Sequence, residues 1–325
     1  MTATDTLSYG QESVNGIAIP KARSLPVELL QSRMYSRGIE MQLDFLEKNH
    51  PELKLEIRAA RASWLSSPFA GGADFIERDA ITKAGDKAKK ILVMMDKKGW
   101  SEYGSLVKFN SKAEVRTYLN LIDKRAKGEI EVDFVRANLL WHYPPYRQNP
   151  EKEVSEGFVV NESFANFISF KMPMSWKNLK SPAKSMLGYK SENGHGRVWL
   201  TIHEQNTVDD SGKAISAKQA FEAHTINSFS QVYSQMGIDL LSFKKTKSGQ
   251  MDVWMFERSK PYEKLGNRGV EHSICMRFFY KDTQINYKMN VIEKEGTTYK
   301  ESLINRHYKK LFNMIGHSVK LSAKP

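Results

Sequence analysis

His203 and Glu204 begin as the helix of a zinc protease would, but that chemistry needs a second histidine one helical turn on, and the residue there is Thr207. The surrounding segment has the period of a strand instead. Val198, Leu200 and Ile202 alternate with Trp199, Thr201 and His203. Strands pair across a sheet, so His203 could meet His272 of another strand-like segment, with Glu204 or Glu271 nearby. Such a group would make an acid/base pair or a metal site, and it is the hydrolase-like enzyme reading that the residues allow. Cys275 is the single cysteine, so no intrachain disulfide can form. It sits in the apolar run Ser273-Ile274-Cys275-Met276-Arg277 and reads as a buried structural thiol, since a nucleophile needs an open, electropositive setting. His195 falls in a glycine-containing turn, and His224 and His307 fall on helical stretches; all three read as surface or half-buried side chains. There is no nucleophile elbow, and Gly266-Asn267-Arg268-Gly269 reads as a turn rather than a phosphate loop. No catalytic residue, metal ligand or cofactor is assigned.

The strand aromatics offer a different chemistry. Phe278, Phe279 and Tyr280 are consecutive, so at least one faces the opposite side of its strand from its neighbours. If no helix covers that side, these residues form with Trp199 and Trp254 an exposed aromatic surface, the kind of patch that marks a partner site. A protein partner is therefore expected.

The charge points more weakly. The formal net charge is +12, which favours nucleic acid, anionic lipid or an acidic protein, although a solvated lysine-rich surface gives the same balance. The densest group is Lys83, Lys87, Lys89, Lys90, Lys97 and Lys98, with Asp86 and Asp96 among it. Lys87, Lys90 and Lys97 can share a helical face, but no aromatic residues interleave as they do in single-strand binders. No run of about 20 apolar residues occurs, so no transmembrane segment is expected. The first residues lack the basic and apolar regions of a signal peptide. The expectation is thus a cytoplasmic protein, or a periplasmic or secreted one whose export signal is absent from the given chain.

The elements that must position these residues divide the chain into a flexible tail (1–24), a helical domain (25–142), a linker (143–160) and an α+β domain (161–325). In the helical part, Leu29, Leu30, Met34, Ile39, Leu43 and Leu46 make a stripe interrupted at Gly38. Asn49-His50-Pro51 breaks it, and Leu53, Ile57, Ala60 and Trp64 begin another. Gly71-Gly72 reads as punctuation before a helix from about Asp74 to Asp96. Ser111 with Glu114 is a capping box. Glu129 to Trp141 is ambiguous and leans to helix. Tyr143-Pro144-Pro145-Tyr146 and Asn149-Pro150 supply the linker.

Beyond the linker, Phe167 to Met172 and Arg197 to Gln205 are strands. Ser216 with Gln219 caps a helix of about 20 residues ending near Gly237. Two hairpins follow, turning at Ser248-Gly249 and at Asp282-Thr283. A last helix from Tyr299 to Ile315 carries Leu303, His307, Leu311, Phe312 and Ile315 on one stripe. The fold class is α+β: a helical N-terminal domain, then an α/β/α-type sandwich with a mainly antiparallel sheet.

Phe167-Ile168-Ser169-Phe170 running into Pro173 and Trp176 resembles the opening strand of the Mog1/PsbP-like fold, which takes in bacterial proteins of the DcrB type. Ser175 stands where that pattern has a glycine before the tryptophan. The helical half, from Phe45 through Asn49-His50-Pro51 to Ala62-Ser63-Trp64, resembles small modules of bacterial envelope proteins, here without their cysteines. The two resemblances imply a non-enzymatic accessory protein of the bacterial envelope or a secretion pathway, acting through protein contacts at its sheet face or loops.

Overall fold

A computed structural model describes residues 13–14, 17–18, 25–103, 109, 111–130, 134–165, 167–179, 181, 183–209, 212–223, 225–264 and 266–321. The expected tail lies outside these residues, apart from a two-rung hairpin of β1 (Ser13–Val14) and β2 (Ile17–Ala18). His224 lies outside them too. The described residues fall into two compact units, one of 25–148 with 155–159, the other of 13–14, 17–18, 149–154 and 160–321. The first is helical and the second is α+β. No described helix is long and apolar enough to cross a membrane.

The first unit holds α1 (Leu25–Asn49), α2 (Lys54–Leu65), α3 (Pro68–Tyr103), α4 (Lys112–Ala126), α5 (Phe134–His142) and α6 (Pro144–Gln148). The break at His50-Pro51 falls where the proline places it, with one 3-10 turn before α2. Leu53, Ile57, Ala60 and Trp64 all point inward, and the Trp64 ring stacks on Phe69 at 6.0 Å. Ser111 caps α4 by accepting from the Glu114 amide. Gly38 does not interrupt α1. Gly71 and Gly72 do not punctuate either; they lie inside α3. A Cβ on Gly72 would sit 1.9 Å from the Leu139 carbonyl oxygen, so this glycine lets the backbones of α3 and α5 meet. Arg33, buried on α1, reaches across to Glu77 and Asp96 of α3. The described end of the 129–141 stretch is helical, as α5.

The stretch expected as a linker carries two short helices, α6 in the first unit and α7 (Glu151–Ser155), most of which belongs to the second. The strands of the second unit are β3 (Val159–Phe164), β4 (Ile168–Pro173), β5 (Lys177–Leu179), β6 (Met186–Lys190) and β7 (Val198–Asn206). There follow α8 (Ala217–Ala223), α9 (Ile226–Gln235), β8 (Asp239–Ser248), β9 (Met251–Lys264), β10 (Asn267–Tyr280), β11 (Thr283–Lys294), α10 (Lys309–His317) and β12 (Lys320–Leu321). Seven strands form one antiparallel sheet in the order β5-β6-β7-β11-β10-β9-β8, and a small second sheet runs β12-β4-β3. Both expected hairpins are present, as β8–β9 and β10–β11.

Alternation gives the long sheet two distinct faces. One carries Leu200, Ile202, Tyr287, Met289, Ile274, Met276 and Phe278, and it packs against α10 and the small sheet through Leu311, Phe312, Ile315 and Phe170. The other carries Trp254, Phe256, Cys275 and Phe279 and packs against α8 and α9 through Phe221, Phe229 and Tyr233. The α/β/α sandwich is therefore as expected, with the small sheet added on one side.

Two helices differ from expectation for local reasons. The single long helix after Ser216 is split, because Thr225 and Ser228 form a second capping box that starts α9. Before α10 the chain makes a π turn over Ile304–Tyr308, which shifts the helical register by one residue. Ile304 and Tyr308 are thereby buried, and His307 is turned to solvent. β8 is the edge of the long sheet; its pairing with β9 slips between Leu240 and Ser242, and Lys244 and Lys247 project from it, exposed.

Candidate functional site

The pairing decides the histidine question. His203 of β7 stands opposite Asn286 of β11, which stands opposite Arg277 of β10, so these three share one row on the α8–α9 side of the sheet. His272 lies five residues from Arg277 along β10 and faces the other way. Glu204 is turned from His203 by the same alternation. Glu271 shares its face but lies six residues along β10 from Arg277, about 20 Å at strand rise. The acid/base or metal group expected from His203, His272 and a carboxylate is therefore not assembled.

His272 has another task. It is buried, with Nδ1 2.7 Å from Ser259 Oγ and Nε2 2.9 Å from the Thr297 carbonyl. A carbonyl only accepts, so in the neutral ring the proton sits on Nε2, and Nδ1 accepts from the Ser259 hydroxyl. The ring thus pins β9 and β10 to the segment after β11. His195 is half-buried in the tight loop between Ser191 and Gly196. Among the described residues no cluster of three His, Cys, Asp or Glu side chains could hold a metal ion.

The five strand aromatics do not form one exposed surface. Trp254 and Phe279 lie 4.8 Å apart between their rings and are buried beneath α8 and α9, against Phe221 and Phe229. Phe278 points into the opposite core, 5.2 Å from the Tyr287 ring. Tyr280 is half-buried and stacks on Phe167, and Trp199 is buried in the row of Lys190 and Asn290. The helices α8 and α9 cover the side that an exposed patch would have needed.

What the fold does bring together is a polar network on the same face, beside the aromatic cluster. Glu271 receives Lys288 Nζ at 2.8 Å, with Lys260 at 3.4 Å and Arg258 at 3.9 Å. Burial pushes its carboxyl up, but the cations Lys288, Lys260 and Arg258 together bring it below the ordinary range. Burial pulls the Lys288 ammonium down, against the pull of Glu271. Ser273 Oγ lies 3.0 Å from Asn290 Oδ1 and 3.3 Å from Glu271 Oε1, and both residues are sealed from solvent. Farther along, Arg277 donates to Asn286 and lies over the rings of Trp254 and Phe256. Gln205 accepts from both Gln284, at 3.2 Å, and Asn286, at 3.0 Å, making a half-open ladder of amides across β7 and β11.

The signal for this network was in the sequence. The residues sharing a face of β11, namely Gln284, Asn286, Lys288 and Asn290, are all polar, as are Glu271, Ser273 and Arg277 on β10. Asn286 pairs with Arg277 and Asn290 with Ser273, so part of the polar surface follows from the register. Chemically, the arrangement can orient amide and charged groups, but it offers no activated nucleophile.

Cys275 lies within the aromatic cluster and is fully enclosed, and burial pushes its thiol up. It is expected to resist a maleimide in the native protein and to react once the chain is unfolded in denaturant. Stoichiometric labelling of folded protein within minutes would contradict that placement.

No protein-family model matches the chain, and no curated protein sequence matches it. Solved structures match over 50% of this chain. One is the cyanobacterial PsbP (CyanoP) of Synechocystis sp. PCC 6803, at 12% identity over 92% of that protein, with a TM-score of 0.32. Another is the Ran-binding protein Mog1p of Saccharomyces cerevisiae, at 14% identity over 96% of that protein, with a TM-score of 0.31. A protein of Bacteroides thetaiotaomicron VPI-5482 matches at 11% identity over 47% of its own length, with a TM-score of 0.30, so the present chain spans about half of it.

Proposed function

We propose that this protein is a non-catalytic binding or accessory protein that acts through protein–protein contacts in the bacterial envelope or a secretion pathway, in a periplasmic or secreted setting. The observation that supports this most is how the titratable groups on the long sheet are used. Glu271 is held by three cations, His272 by Ser259 and the Thr297 carbonyl, and Glu257 by Lys309. Groups tied to one another in this way fix a surface rather than attack a substrate. The half-open amide ladder of Gln205, Gln284 and Asn286 presents neutral donors and acceptors, which suit the polar groups of another protein. The envelope setting is supported by the resemblance of Phe45 to Trp64 to envelope modules.

The test uses the full chain as immobilised bait for envelope and soluble extracts of its own organism, alongside a Gln205→Ala/Gln284→Ala variant, which leaves the Asn286 acceptor of Arg277 in place. An envelope protein held by the native chain should be weakened about tenfold or more by the double change, with the melting midpoint unaltered. Retention of no protein at all would sink the proposal. So would a turnover by the purified protein that disappears in Ser259→Ala or His203→Ala.

A further inference from the structure

The second half of α3 carries a surface on the helical unit that has no role in the reading above. α3 changes course at Gly85, whose backbone has φ 56° and ψ −135°. Beyond it, Ala88, Leu92 and Gly99 are buried. Asp96 is drawn inward as well, bound by Arg33, with Arg37 Nε 3.7 Å away. That pairing removes the central carboxylate from the outer side of the helix. What remains outside is Lys89, Lys90, Val93, Met94 and Lys97, which line a shallow open groove of about 420 Å³. These residues follow i, i+4 spacing as 89, 93, 97 and 90, 94, so they form two adjacent ridges on one face. Val93 is 53% exposed and Met94 63%, with Ile91 beside them at 38%. Asp86, at the start of this half, lies 3.4 Å from Lys89.

Exposed apolar side chains framed by ammonium groups are the two halves of one recognition chemistry. A lysine stem lies along apolar surface while its charge reaches outward. A helix face built this way lies in the plane of a bilayer, with its apolar side chains at the acyl boundary and its cations among the phosphates. From this geometry we infer that the outer face of the second half of α3 is a docking surface for anionic phospholipid headgroups. A fluid headgroup layer fits a shallow groove flanked by two ridges without shape complementarity. Single-stranded nucleic acid would call for stacking aromatics, which the groove lining lacks. The inference rests on residues other than those of the proposed sheet-face contacts, so either can fail alone.

The experiment is co-sedimentation of the full chain with vesicles of phosphatidylglycerol and phosphatidylcholine in equal parts, and with phosphatidylcholine alone. The chain should sediment with the anionic vesicles, and binding should fall several-fold between about 50 and 300 mM NaCl. Val93→Ser/Met94→Ser and Lys90→Gln/Lys97→Gln should each weaken it about tenfold or more. All four side chains are exposed, so the melting midpoint should not move and lost folding cannot mimic lost binding. Failure to bind anionic vesicles would overturn the inference, as would binding that both variants retain. An acidic peptide or single-stranded DNA bound through these residues, with vesicles ignored, would overturn it in favour of that partner.

Discussion

Glu153→Ala should lower stability by about 2–5 kcal/mol in denaturant unfolding at acid pH, because it strips the partner from buried donors. Glu153 on α7 is 2% exposed. One oxygen accepts from the Ser175 amide at 2.6 Å and the other from the Ser175 hydroxyl at 2.6 Å, with the Met174 amide also directed at the carboxyl. Together they hold the Pro173–Trp176 turn, where the Trp176 amide bonds back to the Pro173 carbonyl. Burial pushes the Glu153 carboxyl up to about 7 from an ordinary 4.5, against the pull of its Ser175 and Met174 donors. A raised folded-state value has a definite sign. Below about pH 4.5 the carboxyl is protonated whether folded or not, and its contribution is fully present. Between 4.5 and 7 the unfolded chain releases the proton first, so stability declines as the pH rises, by about 3 kcal/mol in all. Glu153→Gln keeps an acceptor for the Ser175 amide and removes the titration. Its stability should be flatter across that window and overtake the native chain near pH 8. A native profile with no decline in the window would show the carboxyl to be ionised throughout.

Trp176→Ala is expected to cost about 3–5 kcal/mol, the range for deleting a large buried aromatic. Trp176 is 8% exposed and belongs to the larger core of the second unit, with its ring edge-on to Tyr308 at 6.0 Å. It follows the turn held by Glu153, so the turn aims the ring and the ring anchors the turn. Trp176→Phe keeps most of the contact area and should cost less than half as much. Paired with Glu153→Ala, Trp176→Ala should give a total below the sum of the single losses, since both act on one turn. Strict additivity would uncouple the ring from the turn, and a loss under about 1 kcal/mol for alanine would place the tryptophan outside the core.

How much of this was legible depended on whether the deciding interaction was local. The hairpins at Ser248-Gly249 and Asp282-Thr283 were, because turn residues and period-two runs lie side by side in the chain. The caps at Ser111 and Ser216 were legible for the same reason. Gly72 was not. A glycine reads as a break until Leu139, far along the chain, is seen to approach it. The π turn at Ile304–Tyr308 was hidden too, since Leu303 and His307 fit a regular stripe as well as Ile304 and Tyr308 fit the real one. Strand period separates the two faces of β10, yet it does not say which face a helix covers. For that reason Trp254 and Phe279 read as a surface, while the Glu271 and Asn290 network beside them passed unread. The short strands β5 and β6 carry too few residues for a period to show.

The strand at the end of the long sheet sets a limit on self-association. β8 leaves ten residues of backbone along an open side, long enough to template another strand. Lys244 and Lys247 stand along it, and the slip between Leu240 and Ser242 bends it out of line. Two copies approaching side by side would bring like charges together over mismatched ladders. The barrier to fibrous assembly at this end is thus electrostatic as well as geometric, and it weakens where salt screens it. The protein's solubility on storage should accordingly track ionic strength more closely than a well-formed core alone would suggest.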